Sequence, residues 1–260
     1  DFYLCKMKWH NINIKALSII LSSLWRLWFF VVFVCVFIFF IPALFFFTKI
    51  HKNQKIVCYI TQYWSRCTLF FSGVFLRVEI EEGFDKNGSY IICPNHVSTI
   101  DIPVILAAFP IPILFMAKKE YSKIPVFGWF YKHNTIIVNR ENKRDAYGAF
   151  VDSITKLNEG LNVCIFPEGG VPPSSIKLKR FKNGPFKLAI EENRKIIPVT
   201  MPDNKQCFPW SYFKGRPGFL NIKIHKPINL DNSENNDVKN LNNKAYNIIF
   251  DELTNYENRQ

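Results

Sequence analysis

The pattern of hydrophobic residues divides the chain into two parts near residue 74. Residues 27–48 are 22 consecutive positions without a charge, and about 20 apolar residues are enough for a helix to cross the hydrocarbon core of a bilayer. After residue 74, short apolar segments alternate with amphipathic ones. The pattern therefore predicts a membrane anchor of one or two apolar helices over residues 1–73 and a separately folded domain over residues 74–260.

The sequence leaves two arrangements of the anchor open. A straight helix would span the bilayer once, whereas a helix bent at Pro42, where a backbone hydrogen bond is lost, would enter and leave the same leaflet. Residues 67–76 form a second apolar stretch that would supply the returning element. Lysine and arginine flank the apolar run on both sides, so the positive-inside rule gives no orientation. These flanks slightly favour the one-leaflet arrangement.

Seven short segments in the second part predict β-strands, because apolar and β-branched residues dominate each of them. They are residues 74–80, 90–93, 113–116, 135–138, 163–166, 196–200 and 220–224. Helices are predicted over residues 146–157 and 185–192, and apolar residues at helical spacing predict a closing amphipathic helix over residues 238–253. This alternation predicts an α/β domain with a largely buried sheet.

The charge balance favours an anionic partner. The chain carries 33 Lys and Arg residues against 21 Asp and Glu residues, which suits nucleic acid, an acidic carrier protein, a phosphorylated substrate or an acidic membrane surface. The sequence has no zinc-finger spacing and no arginine-rich arm, so we expect no nucleic-acid partner. Its seven cysteines form no Cys-x-x-Cys pair and its histidines show no metal-ligand spacing, so we expect neither a disulfide framework nor a metal site.

The first candidate for chemistry is the pair His96 and Asp101, which directly follows a predicted strand. Ligand sites of α/β sheets form at such strand-to-helix junctions. An aspartate five positions after the histidine can face one imidazole nitrogen and leave the other nitrogen to take a proton from a hydroxyl. The same spacing also fits two residues that only cap a helix.

A second candidate is Glu168 with the glycines that follow it, again at the end of a predicted strand. Paired glycines let the backbone approach a ligand closely, although the same residues also fit a tight turn with a solvated glutamate. Basic residues follow three predicted strands, namely Lys118 and Lys119, then Arg140, then Lys177, Lys179, Arg180 and Lys182. If the sheet is parallel at these points, the basic residues form one anion site, with a solvated loop as the alternative for the last group.

Several blocks of the sequence together resemble the PlsC-like family of 1-acylglycerol-3-phosphate acyltransferases. Residues 95–101 match the family's Asn-His-x-x-x-x-Asp block. The second block is resembled by residues 117–120, 124–129 and 138–140, the third by residues 166–169 and 181–184, and the fourth by residues 197–200. All four stand in the family's order over residues 75–205, and this order makes the resemblance more specific than any single block.

The resemblance implies a mixed sheet flanked by helices, with an N-terminal helical segment that attaches to the membrane. It implies that His96 is the general base and Asp101 its orienting partner. The acceptor hydroxyl would attack the thioester of acyl-acyl-carrier-protein or acyl-coenzyme A, with no covalent acyl-enzyme and no cofactor. The residues implied in binding the lysophospholipid acceptor are Asn95, Lys118, Lys119, Gly128, Arg140, Glu168, Gly169, Lys179 and Lys182.

The expected reaction is acylation of the sn-2 hydroxyl of 1-acylglycerol-3-phosphate to phosphatidic acid. We expect the catalytic domain at the cytoplasmic face of a membrane, and we interpret this membrane as a bacterial inner membrane. One departure keeps the acceptor open, because the family continues its third block with Thr-Arg and this chain has Gly170-Val171. Either a nearby basic residue (Lys177, Lys179 or Arg180) replaces the arginine's charge, or the acceptor is a lyso-aminolipid such as a lyso-ornithine or lyso-glycine lipid. A non-catalytic lipid-binding relative and a lipid hydrolase are the remaining alternatives.

Overall fold

Two helices precede the sheet and pack against each other. The computed structural model describes residues 2–123, 127–139, 142–173, 175–211, 213–230 and 237–259. Within these ranges, only the backbone is described for residues 2–14 and Lys143. Helix α1 spans Phe2–Phe45 and continues as a π-helical turn, Phe46–Ile50, and helix α2 spans Gln54–Phe71. The side chain of Asn53 accepts the N–H of Ile56 and so caps the start of α2.

The apolar N-terminal segment turns back at a different place from the one that the sequence predicts. Residues 15–50 are long and apolar enough to cross a membrane, judged by length and composition. Pro42 lies inside α1, and the chain reverses after the π-helical turn, at residues 51–53. The returning element is α2, not residues 67–76, because the last of those residues belong to the first strand. Trp25 and Trp28 of α1 donate their indole N–H groups to the carbonyls of Ser72 and Phe71 and so fasten the antiparallel pair.

Seven strands form one mixed sheet. They are β1 Val74–Ile80, β2 Ile91–Pro94, β3 Ile113–Lys118, β4 Ile136–Val138, β5 Asn162–Cys164, β6 Ile196–Thr200 and β7 Gly218–Ile224, in the spatial order β1-β7-β6-β2-β5-β3-β4. Each corresponds to a predicted strand. Only β6 and β7 pair antiparallel, and all other neighbours are parallel. The expectation of a mixed sheet flanked by helices is confirmed.

The remaining helices flank the sheet. They are α3 Asp101–Ala108, α4 Phe127–Asn134, α5 Lys143–Asn158, α6 Gly184–Glu191, α7 Asn204–Cys207 and α8 Val238–Asn258, with a short 3-10 turn at Lys119–Lys123. The predicted helices at residues 146–157, 185–192 and 238–253 are α5, α6 and α8. The sequence pattern does not predict α4 or α7, and the four residues of α7 are too few to show a helical period.

The central strands bury both of their faces. Ile92 belongs to an apolar cluster shared with α1, α2 and α3, whereas Ile91 and Cys93 belong to a cluster shared with α5, α6 and α8. The alternation follows from the strand geometry, in which successive side chains point to opposite faces. The predicted domain boundary between residues 73 and 74 stays a prediction. Trp64 of α2, which precedes this boundary, lies in the same apolar cluster as residues of the sheet.

One face of α1 lies against the rest of the protein and the other is open. Phe37 is 7% exposed and packs on Trp64, Phe127 and Phe130, with ring centroids 5.6–6.0 Å apart. Phe39, two positions further on, is 78% exposed. The open face consists of large apolar residues such as Leu24, Leu27, Phe30, Val34 and Ile38. Such a surface is typical of contact with lipid or with another apolar partner.

Phe37 and Phe39 provide a matched test of this packing. We expect Phe37→Ala to lower the free energy of unfolding in detergent by about 3–5 kcal/mol, because it leaves a cavity among three aromatic rings. Phe39→Ala removes the same atoms from an exposed site and is expected to change that free energy by about 0.5 kcal/mol or less. Denaturant unfolding of both variants in one detergent checks the difference, and equal effects would show that α1 does not pack on this face.

Candidate active site

Three loops that follow parallel strands meet at one edge of the sheet. β2 pairs in parallel with both β5 and β6, so all three strands end on the same side. The segments after β2, β5 and β6 carry His96, Glu168 and Asn204 respectively, and Asn204 is the first residue of α7. Ligand sites in α/β sheets form outside the carboxyl ends of strands. The fold therefore brings together the first and third sequence blocks.

The carboxylate of Asp101 holds one ring nitrogen of His96. His96 Nδ1 lies 2.8 Å from Asp101 Oδ2, and the same oxygen accepts the backbone N–H groups of Val97 and Ser98 over 2.8 and 2.9 Å. Asp101 is completely buried at the first turn of α3. An ionised carboxylate accepts from Nδ1–H, so the lone pair of the imidazole is left on Nε2.

The ring of His96 is fixed on a second side by Phe166. The two rings stack with centroids 4.0 Å apart and planes inclined by 23°. The His96 side chain is 19% exposed, and Nε2 makes no hydrogen bond to another part of the chain that the structure describes. An imidazole held in one tautomer, with its other nitrogen open, can take a proton from a bound hydroxyl.

Glu168 joins the loop after β2 to the loop after β5. Its Oε1 accepts the backbone N–H of His96 over 2.7 Å, and its Oε2 accepts the backbone N–H of Lys179 over 2.9 Å. The side chain is completely buried, so the alternative of a solvated glutamate in a turn is wrong. Burial raises the pKa of Glu168, and the two backbone hydrogen bonds oppose this rise. Glu168 positions the backbone of His96, and its contact with an acceptor stays a prediction.

Asn95 is also buried and also binds backbone. Its Oδ1 accepts the N–H of Met201 over 2.8 Å, and its Nδ2 donates to the carbonyl of Met201 over 3.1 Å. These two bonds tie the residue before His96 to the chain directly after β6. The structure thus gives Asn95 a positioning contact, and the expectation that it binds acceptor stays a prediction.

Local structure accounts for two glycines of the predicted site. Gly169 has φ +75°, a backbone conformation that favours glycine because other residues rarely adopt it. The end of the flexible Lys182 side chain lies 2.6 Å from the position that a β-carbon would take there. Gly128 lies in α4, where a β-carbon would come within 2.4 Å of the carbonyl oxygen of Ser122. Packing accounts for Gly128, so its role in binding stays a prediction.

The basic residues predicted to bind the acceptor lie in different surroundings. Lys118 and Lys179 are exposed, and the Lys119 ammonium is 3.8 Å from a carboxylate oxygen of Asp145. The end of the Lys182 side chain lies over Gly169, beside the third block. Arg140 lies outside the described residues. The assignment of all five to acceptor binding stays a prediction.

Two of the candidates to replace the missing arginine contact α8 instead. The ammonium of Lys177 pairs with Glu257 at 2.7 Å, and the guanidinium of Arg180 lies over the Tyr246 ring, 5.3 Å from its centroid. Of the basic residues that follow the glycines of the third block, Lys182 has its side chain against Gly169. Its ammonium therefore lies beside the glycine that precedes the position of the family's Thr-Arg.

Asn204 is a residue of the site that the sequence reasoning missed. Its Nδ2 donates to Asp101 Oδ1 over 2.8 Å. The sequence could have indicated Asn204 by its position, because Asn204, like His96 and Glu168, comes shortly after a predicted strand. Without the strand order, a polar residue at that position is equally typical of a surface turn.

The described residues include no group of three or more His, Cys, Asp or Glu placed to hold a metal ion. The six cysteines whose side chains the structure describes are free thiols. Burial raises the pKa of Cys93 and Cys164, both of which lie in the central strands. Their thiols stay protonated at neutral pH and are therefore poor nucleophiles.

Glu168→Gln tests the link between the two loops. A glutamine presents one oxygen and one amide group, so one of the two backbone N–H groups would face another donor and lose its partner. We expect the free energy of unfolding to fall by about 1–3 kcal/mol. Glu191→Gln makes the same change on the exposed surface of α6 and is expected to have little effect. Equal unfolding curves for wild type and Glu168→Gln would contradict the assigned contacts.

Comparisons with known proteins agree with the fold and with the sequence blocks. Residues 75–202 match the family model described as Acyltransferase. A 1-acyl-sn-glycerol-3-phosphate acyltransferase of Borreliella burgdorferi is 29% identical over 144 residues, which cover 55% of this chain and 57% of that protein. One of Saccharomyces cerevisiae is 28% identical over 191 residues, which cover 70% of this chain and 60% of that protein. The chain thus spans less than two thirds of the length of these two relatives.

A solved structure shares the architecture over nearly the whole chain. The crystal structure of the 1-acyl-sn-glycerophosphate acyltransferase PlsC from Thermotoga maritima superposes with a TM-score of 0.75 and is 24% identical. The match covers 94% of this chain and 98% of that one, so the likeness includes the N-terminal helices. At this identity the likeness concerns the fold.

Proposed function

Because residues 75–202 match the acyltransferase family model, we propose that the chain acylates the sn-2 hydroxyl of 1-acylglycerol-3-phosphate and so makes phosphatidic acid. The observation that carries the proposal is the 2.8 Å contact between His96 Nδ1 and the buried Asp101 carboxylate, with Nε2 left open at the edge of the sheet. Acyl transfer to a hydroxyl needs one base with an available lone pair, and this arrangement supplies it.

The proposed reaction has one addition and one elimination. His96 Nε2 removes the proton of the acceptor hydroxyl as its oxygen forms a bond to the thioester carbonyl carbon. The carbon–sulfur bond then breaks, and the imidazolium returns the proton to the leaving thiolate. An ester and a free thiol result, with no covalent acyl-enzyme and no cofactor besides the thioester co-substrate. The buried Asp101 carboxylate stabilises the imidazolium that forms between the two steps.

The acceptor phosphate is proposed to bind at the third block. Lys182 supplies a positive charge directly over Gly169, and the exposed ammonium groups of Lys118 and Lys179 add to it. Lys177 and Arg180 are engaged with α8 and are not part of the proposal. The thioester donor is an acyl-acyl-carrier-protein or acyl-coenzyme A, either of which carries the negative charge that a chain of net charge +12 attracts.

The membrane is the proposed location of the reaction. The acceptor and product are membrane lipids, and the open apolar face of α1 provides a surface that lipid can cover. We place the catalytic domain on the cytoplasmic face, where thioester donors are made, and take a bacterial inner membrane as the membrane concerned.

Removal of the base or of its partner tests the reaction. His96→Ala and Asp101→Asn are each expected to lower kcat by roughly 10²–10⁴-fold, as loss of a general base does. The assay uses purified protein in detergent, a labelled acyl thioester and 1-acylglycerol-3-phosphate. Near-normal rates in both variants would rule out the proposed base. No transfer by the wild type would instead favour a non-catalytic relative. Release of free fatty acid in the presence of acceptor would instead indicate a hydrolase.

The Gly170-Val171 departure favours a second candidate acceptor. A lyso-aminolipid carries no phosphate monoester, so it would not need the arginine that the family places here. The same assay with a panel of lyso-acceptors separates the two candidates. Product on the lyso-ornithine or lyso-glycine lipid alone would replace the phosphate acceptor and retain the chemistry of His96 and Asp101.

Lys182→Gln tests the proposed phosphate contact, and Lys177→Gln is its matched control. Lys182→Gln is expected to raise the KM for 1-acylglycerol-3-phosphate about tenfold or more, because a charge-assisted hydrogen bond is lost. Lys177→Gln removes the same charge from a side chain directed to α8 and should leave this KM within about twofold of wild type. Equal KM values for both variants would exclude Lys182 from the phosphate site.

A further inference from the structure

Asn204 lies outside the sequence blocks and beyond the matched residues 75–202, yet it contacts the histidine–aspartate pair. It is the first residue of α7 and follows β6 by four positions. Both Asn204 and Asp101 are completely buried. Nothing in the resemblance to the family assigns a role to this residue.

The two oxygens of Asp101 are held from two different directions. Oδ2 accepts from the His96 ring and from the backbone of Val97 and Ser98, all within the same loop. Oδ1 accepts from Asn204 Nδ2 over 2.8 Å. A carboxylate fixed at one oxygen can still rotate about its last side-chain bond, because this torsion is soft. The amide of Asn204 restrains the rotation and keeps Oδ2 directed at His96 Nδ1.

The hydrogen bonding of Asn204 differs from that of two other buried asparagines. Asn95 uses its oxygen and its nitrogen on Met201, and Asn162 uses its oxygen on Tyr90 N and its nitrogen on Pro112 O. Asn204 Oδ1, in contrast, has no partner among the described residues. A buried amide oxygen without a partner costs free energy. The flipped amide would place that oxygen against the Asp101 carboxylate, so the orientation is set by the bond to Asp101.

The surroundings of Asn204 hold it in place. The preceding residue, Asp203, accepts the backbone N–H of Asn221 in β7 over 2.9 Å and the hydroxyl of Tyr256 in α8 over 2.8 Å. At the other end of α7, the carbonyl of Phe208 accepts the hydroxyl of Ser98 over 2.5 Å. Asn204 therefore stands on a short helix that is fastened to the sheet, to α8 and to the His96 loop.

We propose that Asn204 is a positioning residue, whose side-chain N–H fixes the Asp101 carboxylate and thereby the tautomer and orientation of the His96 ring. It does not touch the substrate. Its effect on the rate rests on the proposed function, because it acts through His96. Its effect on the state of the His96 ring does not depend on which reaction the protein catalyses.

Asn204→Leu keeps the approximate shape of the side chain and removes the donor. We expect kcat to fall about 10- to 100-fold, the usual effect of losing a group that orients a catalytic side chain. The KM values for acceptor and thioester should stay within about twofold, because neither substrate contact changes. Asn162→Leu is the matched control, since it removes a completely enclosed amide at the amino end of β5, away from the site. It should lower the melting temperature as much and leave kcat unchanged.

The state of the His96 ring gives an independent measurement. With only five histidines in the chain, nitrogen-labelled imidazole resonances can be assigned by comparison with His96→Ala. Wild type should show the Nδ1–H tautomer for His96, and Asn204→Leu should show a mixture with the Nε2–H tautomer. If Asn204→Leu does not fold, Asn204→Ala removes the same donor with a smaller side chain that the buried site can hold.

The outcomes separate this proposal from the proposed function. A folded Asn204→Leu protein with wild-type kcat and an unchanged His96 tautomer would overturn the proposal, and so would an equal loss of kcat in Asn162→Leu. If wild type transfers no acyl group to any acceptor, the proposed function fails, and the tautomer measurement alone decides the role of Asn204.

Discussion

The burial of the Asp101 carboxylate is the constraint on which the rest of the site depends. A negative charge removed from water is stable only if hydrogen-bond donors surround it. Here four donors do so: the His96 ring, two backbone N–H groups and the amide of Asn204. The first three come from the loop after β2 and the fourth from the loop after β6. The charge thus requires two separate loops to lie together, and the order of the strands makes this possible.

A second buried carboxylate, that of Glu168, also needs hydrogen-bond donors around it, and meeting this need fixes a third loop. It accepts backbone N–H groups from His96 and Lys179, so the segment after β5 and the basic segment beyond it are fixed relative to His96. The ring of Phe166, from the same loop, covers one side of the imidazole. Charged and aromatic groups of the third block therefore position His96. The side chain of Lys182 lies over Gly169, in the same block.

The apolar helix α1 is also linked to this site. Arg26, a buried charge within the apolar helix α1, donates to the carbonyl of Pro209, and its guanidinium lies 4.3 Å from the ring centroid of Phe208. The carbonyl of Phe208 in turn accepts the hydroxyl of Ser98, between His96 and Asp101. The segment that follows α7 therefore contacts both the helix with the open apolar face and the loop that carries the base.

The sequence by itself determined the strands, the helices α5, α6 and α8, the apolar N-terminal helix and the positions of His96 and Asp101, because each of these depends on residues close together along the chain. The tertiary structure decided which strand ends meet. Glu168 reaches His96 across 72 positions and Asn204 reaches Asp101 across 103, and no local period encodes such a contact. It also decided that Lys177 and Arg180 contact α8 while Lys182 covers Gly169. A run of basic residues shows its charge in the sequence, but the direction of each side chain depends on the helix that packs beside it.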